Sequence, residues 1–371
     1  MRIGIIAAAR FPIAEPFAGG LEAHVWDLAD RLRLQGHELT LFAGPGSDPR
    51  LGVELLDLQR PRVSDAARAD VSMSAPEWLD EHHAYLRLMV RLARTAADAF
   101  DVVHNHSLHH LPIAMASTLP VPIVSTLHTP PTPWLESAIQ VEDECDVTFA
   151  AVSAHTAAAW SHLIPDAHVI HNGVDVDRWR QGPGGGPAVW FGRIVPEKGP
   201  HLAIDAAVRA GRPLRLAGPI ADRTYFRDEI RPRLAQPGIE YVGHRTQAQL
   251  AALVGDASVA LITPCWDEPY GLVVAEALAC GTPVAAFARG ALPELIHDGC
   301  GRLVAPGDVA ALATAIDEAA QLSRTAARAQ AVRECSLERM VARYVDLYET
   351  LAFRSSLPCT RSAPRPLASA R

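Results

Sequence analysis

Two glutamates eight positions apart, Glu268 and Glu276, enclose the segment Pro269-Tyr270-Gly271-Leu272-Val273. A carboxylate accepts paired hydrogen bonds, so Glu276 suits a vicinal diol such as a ribose, and Glu268 suits a second set of hydroxyls. The first N–H groups of a helix lack intrahelical acceptors, and those at Gly271, Leu272 and Val273 would point at an anion. Hydroxyl acceptors on both sides of an anion-ready helix start suit a nucleotide joined to a sugar. A surface helix capped by glutamates is the plainer alternative, and two glutamates alone would favour it.

Lys198 is the single lysine; Lys and Arg together number 34, so the other members of that pair are all arginines. Keeping a lysine in Arg193-Ile194-Val195-Pro196-Glu197-Lys198-Gly199 points to a need for a compact ammonium. Lys is a flexible point charge and Arg a planar fork, and the two do not substitute freely at a crowded phosphate. Chance survival in an Arg-biased composition, or a surface ion pair for Arg193, is the competing account.

Other candidates carry their own alternatives. Gly19-Gly20 is either a phosphate-approaching loop or a plain turn. His104, His106, His109 and His110 resemble a metal cluster, but a competent zinc site needs three or four convergent ligands with outer-shell support. His104 and His106 share one side of a strand, whereas His109 and His110 begin a helix, so no metal is expected. His128 ends a strand, Asn172-Gly173 is readable as a plain turn, and Cys265 reads as a small packing residue.

These residues need elements to hold them. Residues 3–8 form an apolar run, as in a strand buried on both faces. A Pro/Gly loop (11–20), an amphipathic helix (22–35) and a strand (38–43) follow, which is a βαβ unit. Strands at 101–104, 122–126, 147–152 and 168–170 and a helix at 109–118 extend the pattern. After the Gly/Pro-rich stretch 181–187, strands at 188–191, 214–217, 239–242, 259–263, 283–286 and 302–304 alternate with helices at 201–210, 226–234, 247–254, 271–279 and 309–321. A final helix covers 337–351. The fold class is α/β, with two Rossmann-like doubly wound parallel sheets. The boundaries are 1–180, a linker at 181–187, 188–335, a C-terminal helix at 336–353 crossing back to the first domain, and a disordered tail at 354–371.

The totals agree. The length of 371 residues suits two domains, and 49% hydrophobic with 20% charged residues is ordinary for a globular chain. A net charge of −8 argues against nucleic acid as a partner. Six cysteines without CxxC spacing fit free thiols in a reducing compartment. No signal-like leader or long apolar run occurs, so a cytoplasmic protein is expected, with peripheral membrane contact left open.

Glu268…Glu276 resembles the E-x7-E signature of retaining glycosyltransferases of family 4, which have the GT-B fold. Phe191-Gly192-Arg193 with Pro196-Glu197-Lys198-Gly199 is similar to that family's "GR…EKG" element. Gly19-Gly20-Leu21-Glu22, Asp101-Val102-Val103-His104-Asn105-His106, Ser125-Thr126-Leu127-His128, His171-Asn172-Gly173-Val174-Asp175, Gly290-Ala291-Leu292-Pro293-Glu294 and Asp298-Gly299 match further segments in order. The resemblance spans residues 1–350 and is specific as a set.

The resemblance implies that Arg193 and Lys198 bind the donor diphosphate, with Gly19 and Gly20 giving it a close backbone approach. It implies that Glu276 holds the ribose, Glu268 the sugar hydroxyls, and His244 the base pocket, with Tyr270, Gly271, Leu272 and Val273 completing the donor site. His128 would sit at the sugar's reacting end, so His128, Glu268, Lys198 and Arg193 would serve catalysis. Residues 1–180 would bind the acceptor, with Glu22, His106 and Trp134 as candidates on loops around 11–20, 60–78 and 129–134. Trp78, Trp134 and Pro130, Pro131 and Pro133 would form a platform there or pack within the loops.

The function so implied is metal-independent transfer, with retention by front-face attack, of a sugar from a nucleoside diphosphate sugar to a hydroxyl acceptor. A UDP-sugar is favoured and GDP-mannose remains open; the acceptor is a small molecule, natural product or glycan, and no cofactor is needed. A dinucleotide oxidoreductase would show G-x-G-x-x-G after the first strand, where this chain has Ala7-Ala8-Ala9-Arg10. A non-hydrolysing nucleotide-sugar epimerase and a non-catalytic nucleotide-sugar-binding protein share the layout and are separable by product analysis.

Overall fold

The computed structural model describes residues 1–58, 62–72, 75–141 and 147–356. The residues left out include Arg60, Cys145, Cys359 and positions 357–371, so most of the expected tail and part of the 60–78 loop lie outside the description.

Two parallel sheets form the two domains, as expected. In the first, β1 (Arg2–Ile6), β2 (Glu38–Ala43), β3 (Val53–Leu55), β4 (Val102–Asn105), β5 (Ile123–Leu127), β6 (Val147–Ala151) and β7 (His168–Val169) lie in the order β3-β2-β1-β4-β5-β6-β7. In the second, β8 (Ala188–Phe191), β9 (Leu214–Ala217), β10 (Ile239–Tyr241), β11 (Ala260–Ile262), β12 (Val284–Phe287) and β13 (Gly301–Val304) lie in the order β10-β9-β8-β11-β12-β13. Each order reverses direction at its first strand, between β1 and β4 and between β8 and β11. Ligands of open α/β sheets bind outside the strand ends at such points.

The apolar run of β1 is explained by burial on both faces. Ile3 and Ile5 pack with Val25, Leu28 and Leu32 of the helix Gly20–Leu34, while Ile6 packs with Phe42, Tyr85 and Met89 on the other face. Tyr85 and Met89 belong to the helix Pro76–Ala99, an element absent from the sequence reading, as is the helix Arg324–Glu334. The expected helix at 109–118 is two short pieces, Leu111–Ala114 and the 3-10 turn Ala116–Thr118. The helix expected at 226–234 starts earlier, at Arg223, where Asp222 caps it, and passes through a π-helical turn at Phe226–Ile230 just before Pro232.

The last helix, Leu337–Ser356, packs on the first domain rather than the second. Met340, Val341, Tyr344, Leu347 and Tyr348 are buried with Ile3, Ile5 and Val25. Each fully buried apolar side chain contributes about 1.5–3 kcal/mol, so this helix is part of that domain's core. The stretch 181–187 is stitched to the second domain: the Gly182, Gly184 and Gly186 N–H groups donate to the carbonyls of Cys280, Gly255 and Asp256. Among the described residues no helix is long and apolar enough to cross a membrane. Cys265, Cys280, Cys300 and Cys335 are free thiols.

Candidate active site

The strand-end loops of both domains meet across a solvent-open cleft of about 330 Å³. Ordinary ligand pockets measure roughly 300–1,000 Å³, so the cleft is of ordinary ligand-pocket size. Gly19, Gly20 and His128 line one wall; Arg193, Lys198, His244, Glu268, Tyr270, Gly271, Leu272, Val273 and Glu276 line the other.

Two helix starts face each other here. Gly20 opens the helix Gly20–Leu34, and Leu272 opens the helix Leu272–Ala279. A Cβ on Gly20 would lie 3.1 Å from Leu272 Cδ1, so glycine permits the close approach of the two domains. Gly271 caps the second helix with φ +98°, a left-handed conformation that glycine adopts without penalty. The positive ends of both helix dipoles thus converge on one region, which favours an anion, although the Glu22 carboxylate already accepts from the Gly19 and Glu22 N–H groups at the first of them.

The cationic side chains border that region. Lys198 ends the 3-10 turn Pro196–Lys198, and its Nζ donates to both Glu268 oxygens, at 2.8 and 2.6 Å. Trp266 Nε1 donates to Glu268 Oε2 at 3.0 Å, and the ammonium sits 5.1 Å from the Trp266 ring centre. Arg193 lies beside Gly19, whose added Cβ would stand 3.8 Å from its Nε.

Glu276 projects from the second turn of its helix. Burial pushes its carboxyl up to about 8, the nearby Asp27 pushes it further up, and Arg178 opposes the shift. Asp27 is itself raised to about 6 by burial, although Arg178 Nη1 donates to it at 2.7 Å. Arg178 also donates to Gln247, which joins the two domains at this end of the cleft. His244 Nε2 stands 3.1 Å from the Phe17 carbonyl in the opposite domain, and Tyr270 is buried with its ring 5.8 Å from that of His171.

His128 leads into a buried chain of imidazoles. Its Nε2 is 2.9 Å from His106 Nδ1, and His106 Nε2 is 3.0 Å from His104 Nδ1. His104 Nε2 is 2.7 Å from Thr126 Oγ1, and Tyr348 OH is 2.5 Å from His104 Nδ1. Burial and the neighbouring rings hold His104, His106 and His128 well below the usual histidine range, so they are neutral at pH 7.

Three residues expected at the acceptor are not brought to the cleft wall. Glu22 is 5% exposed, packed beneath the Gly19 turn, and burial raises its carboxyl. His106 is fully buried behind His128, because β4 carries it into the core beside His104. Trp134 is 57% exposed but stacks on His110 and lies near Trp78, outside the cleft lining. The histidines considered together as a metal cluster also separate: His104 and His106 join His128 and His24, while His109 and His110 join His82.

Sequence reasoning missed His24, Trp266 and the Asp27–Arg178–Gln247 group. His24 and Asp27 sit among the buried positions of an amphipathic helix, and the available signal was polar residues on an otherwise apolar face.

The family described as Glycosyltransferase Family 4 matches residues 18–178, and that described as Glycosyl transferases group 1 matches residues 187–333. The chain is 30% identical over 365 residues to a glycogen synthase of Mycobacterium tuberculosis, covering 85% of this chain and 86% of the relative. It is 28% identical to a phosphatidyl-myo-inositol mannosyltransferase of Mycobacterium leprae, covering 96% and 98% of the two chains. The crystal structure of HepE of Anabaena in complex with UDP and glucose superimposes with a TM-score of 0.74 at 18% identity, over 95% of this chain and all of that one, and so shares the fold.

Proposed function

This chain belongs to glycosyltransferase family 4 and is a glycosyltransferase of GT-B fold, and we propose that it transfers a hexose from a nucleoside diphosphate sugar to a hydroxyl acceptor with retention of configuration. The observation that carries this reading is the convergence of Lys198, Arg193 and two helix starts on one cleft that Glu268 and Glu276 also line. A UDP-sugar is the favoured donor, in keeping with the UDP and glucose bound to HepE, and GDP-mannose is the second choice, in keeping with the mannosyltransferase relative. The acceptor is a small molecule, natural product or glycan, and the reaction takes place in the cytoplasm.

The diphosphate would lie between Gly19-Gly20 and Leu272-Val273, and Glu276 would accept from the ribose hydroxyls. Lys198 would turn from Glu268 to a phosphate oxygen. Glu268, still held by Trp266, then has free acceptor positions for the sugar's hydroxyls. As the anomeric carbon–oxygen bond breaks, its electron pair goes to the diphosphate, and Lys198, Arg193 and the helix amides stabilise the added charge. The acceptor oxygen forms its bond on the same face, and its proton passes to the departing phosphate oxygen. His128 would stand at that reacting centre. These groups supply the charge stabilisation themselves, so transfer needs no metal ion.

The test is incubation with UDP-glucose or GDP-mannose and a panel of hydroxyl acceptors, with proton NMR of the product. Release of nucleoside diphosphate with the donor's α configuration kept in the product supports the reading. An inverted product, or a freed epimeric nucleotide sugar without acceptor consumption, contradicts it.

A further inference from the structure

His24, on the helix Gly20–Leu34, is 1% exposed, and neither of its ring nitrogens has a hydrogen-bond partner. A buried imidazole left this way is costly unless something binds it. Its neighbours are two more imidazoles. The ring centres of His24, His106 and His128 form a nearly equilateral triangle with sides of 5.2, 5.1 and 5.2 Å. One ligand nitrogen from each lies within 4.8 Å of the others.

We propose that His24, His106 and His128 form a binding site for a zinc-class dication, inside the first domain and open to the cleft at His128. The triangle has the size the chemistry needs. Three imidazoles on a tetrahedral zinc, with Zn–N near 2.0–2.1 Å, place their ring centres about 5.2 Å apart. The nitrogens of His106 and His128 that face each other at 2.9 Å need to open by only about 0.4 Å to take the ion between them. One set of tautomers leaves His106 Nδ1 free for the ion. With His106 Nδ1 on the metal, its Nε2–H shares the single lone pair of His104 Nδ1 with the Tyr348 hydroxyl, and His104 Nε2–H donates to Thr126 Oγ1. This is the outer-shell bracing that orients metal-bound histidines. A neutral three-imidazole set suits zinc, copper or nickel rather than magnesium or calcium. A fourth ligand, water or hydroxide, would enter from the cleft.

The trio His82, His109 and His110 also gathers its nitrogens, but it lacks such a set. The Leu111 N–H donates to His109 Nδ1 at 3.2 Å, which leaves the proton of the neutral ring on Nε2 and removes that lone pair.

The binding claim stands independently of the proposed transferase reaction. One consequence does rest on it: an ion on His128 occupies a group placed at the reacting centre, so zinc should inhibit transfer.

The experiment is titration of chelator-stripped full-length protein with Co²⁺, followed by ligand-field absorbance, and with Zn²⁺, followed by competition with a chromophoric chelator. The expected result is one equivalent bound with a tetrahedral cobalt spectrum that zinc displaces. His24→Leu should weaken binding at least about 100-fold, and His104→Phe about 10–100-fold through lost bracing. His82→Ala should leave metal affinity unchanged. Circular dichroism checks the folding of each variant, and His128→Ala, at the cleft wall, provides a second ligand deletion if His24→Leu misfolds. Binding no tighter than millimolar to the wild type would overturn the proposal, as would loss with His82→Ala and retention in folded His24→Leu or His128→Ala. If binding holds but zinc does not inhibit transfer, the placement of His128 at the reacting centre fails and the site itself stands.

Discussion

Lys198 Nζ lies 2.8 and 2.6 Å from the two carboxylate oxygens of Glu268, so the chain's single lysine is held by one of the two glutamates proposed to grip the donor. A diphosphate must draw the ammonium away, and the same movement releases Glu268 to accept from a sugar. Lys198→Ala removes the attraction and leaves an unpaired carboxylate beside the phosphate. Turnover should fall about 10²–10³-fold with little change in thermal stability. Lys198→Arg should not restore it, because the planar fork does not fit a point-charge site. Steady-state kinetics and a melting curve check both statements, and near-normal turnover in Lys198→Ala would contradict the assignment.

As the proposed ribose acceptor, Glu276 should set a pH dependence for donor binding. Its carboxyl, pushed up to about 8 by burial, is protonated at neutral pH in the ligand-free cleft. A ribose diol donating two hydrogen bonds favours the ionised form, so binding expels a proton. Donor affinity should rise with pH up to about 8 and then level off. Calorimetry at neutral pH in buffers of different ionisation enthalpy should report proton release. Glu276→Gln should bind more weakly and without this pH dependence.

The same groups act on stability with a definite sign. Between the unfolded value of 4.5 and about 8, the native state keeps a proton on Glu276 that the unfolded chain has lost. The contribution is full below 4.5 and disappears as pH rises through about 8. Asp27 acts in the same direction between 3.8 and about 6. The melting temperature of the ligand-free protein should therefore carry a component that declines as pH rises across this window, and Glu276→Gln should flatten it.

Glu294 joins the domains behind the cleft. Its carboxylate accepts from the Ala154 and His155 N–H groups at 2.9 and 2.7 Å, at the start of the helix Ala154–Trp160, and meets His171 Nε2 at 3.2 Å. Hydrogen bonds to a charged group contribute about 1.5–3 kcal/mol each, so Glu294→Ala should lower the melting temperature measurably. It should also reduce kcat more than a surface substitution does, because the two walls lose a fixed relation. Calorimetry and kinetics on the purified variant test this.

Chelators should not lower transferase activity. In the proposed reaction Lys198, Arg193 and helix amides would meet the charge on the leaving diphosphate, and an ion on His24, His106 and His128 would hinder rather than help. Activity lost in EDTA and restored by a divalent cation would refute the metal-independent reading.

The strand ends were legible in the sequence because a parallel sheet covered on both faces writes itself as short apolar runs, and residues such as Arg193 and Glu268 sit just beyond them. Gly271 was legible as the start of a helix after a buried strand, and Gly20 only through the family resemblance. The helix Arg324–Glu334 was not, since its buried face rests on Ala327 and Ala331, too small to give a strong apolar period. The partnership of Glu276 with Asp27 and Arg178 was not either, because it joins three distant segments that only the domain packing brings together. His106 was placed at the acceptor by motif position, but His24 and His128 pack over its ring and leave it fully buried.

The most direct test of the cleft assignment is isothermal titration of wild-type and Lys198→Ala protein with UDP-glucose and GDP-mannose. The expected result is one equivalent of one of these donors bound by the wild type, at least about tenfold more weakly by the folded variant. Absence of binding to either donor, or equal affinity in the two proteins, would contradict a nucleotide-sugar site built around Lys198 and Glu268.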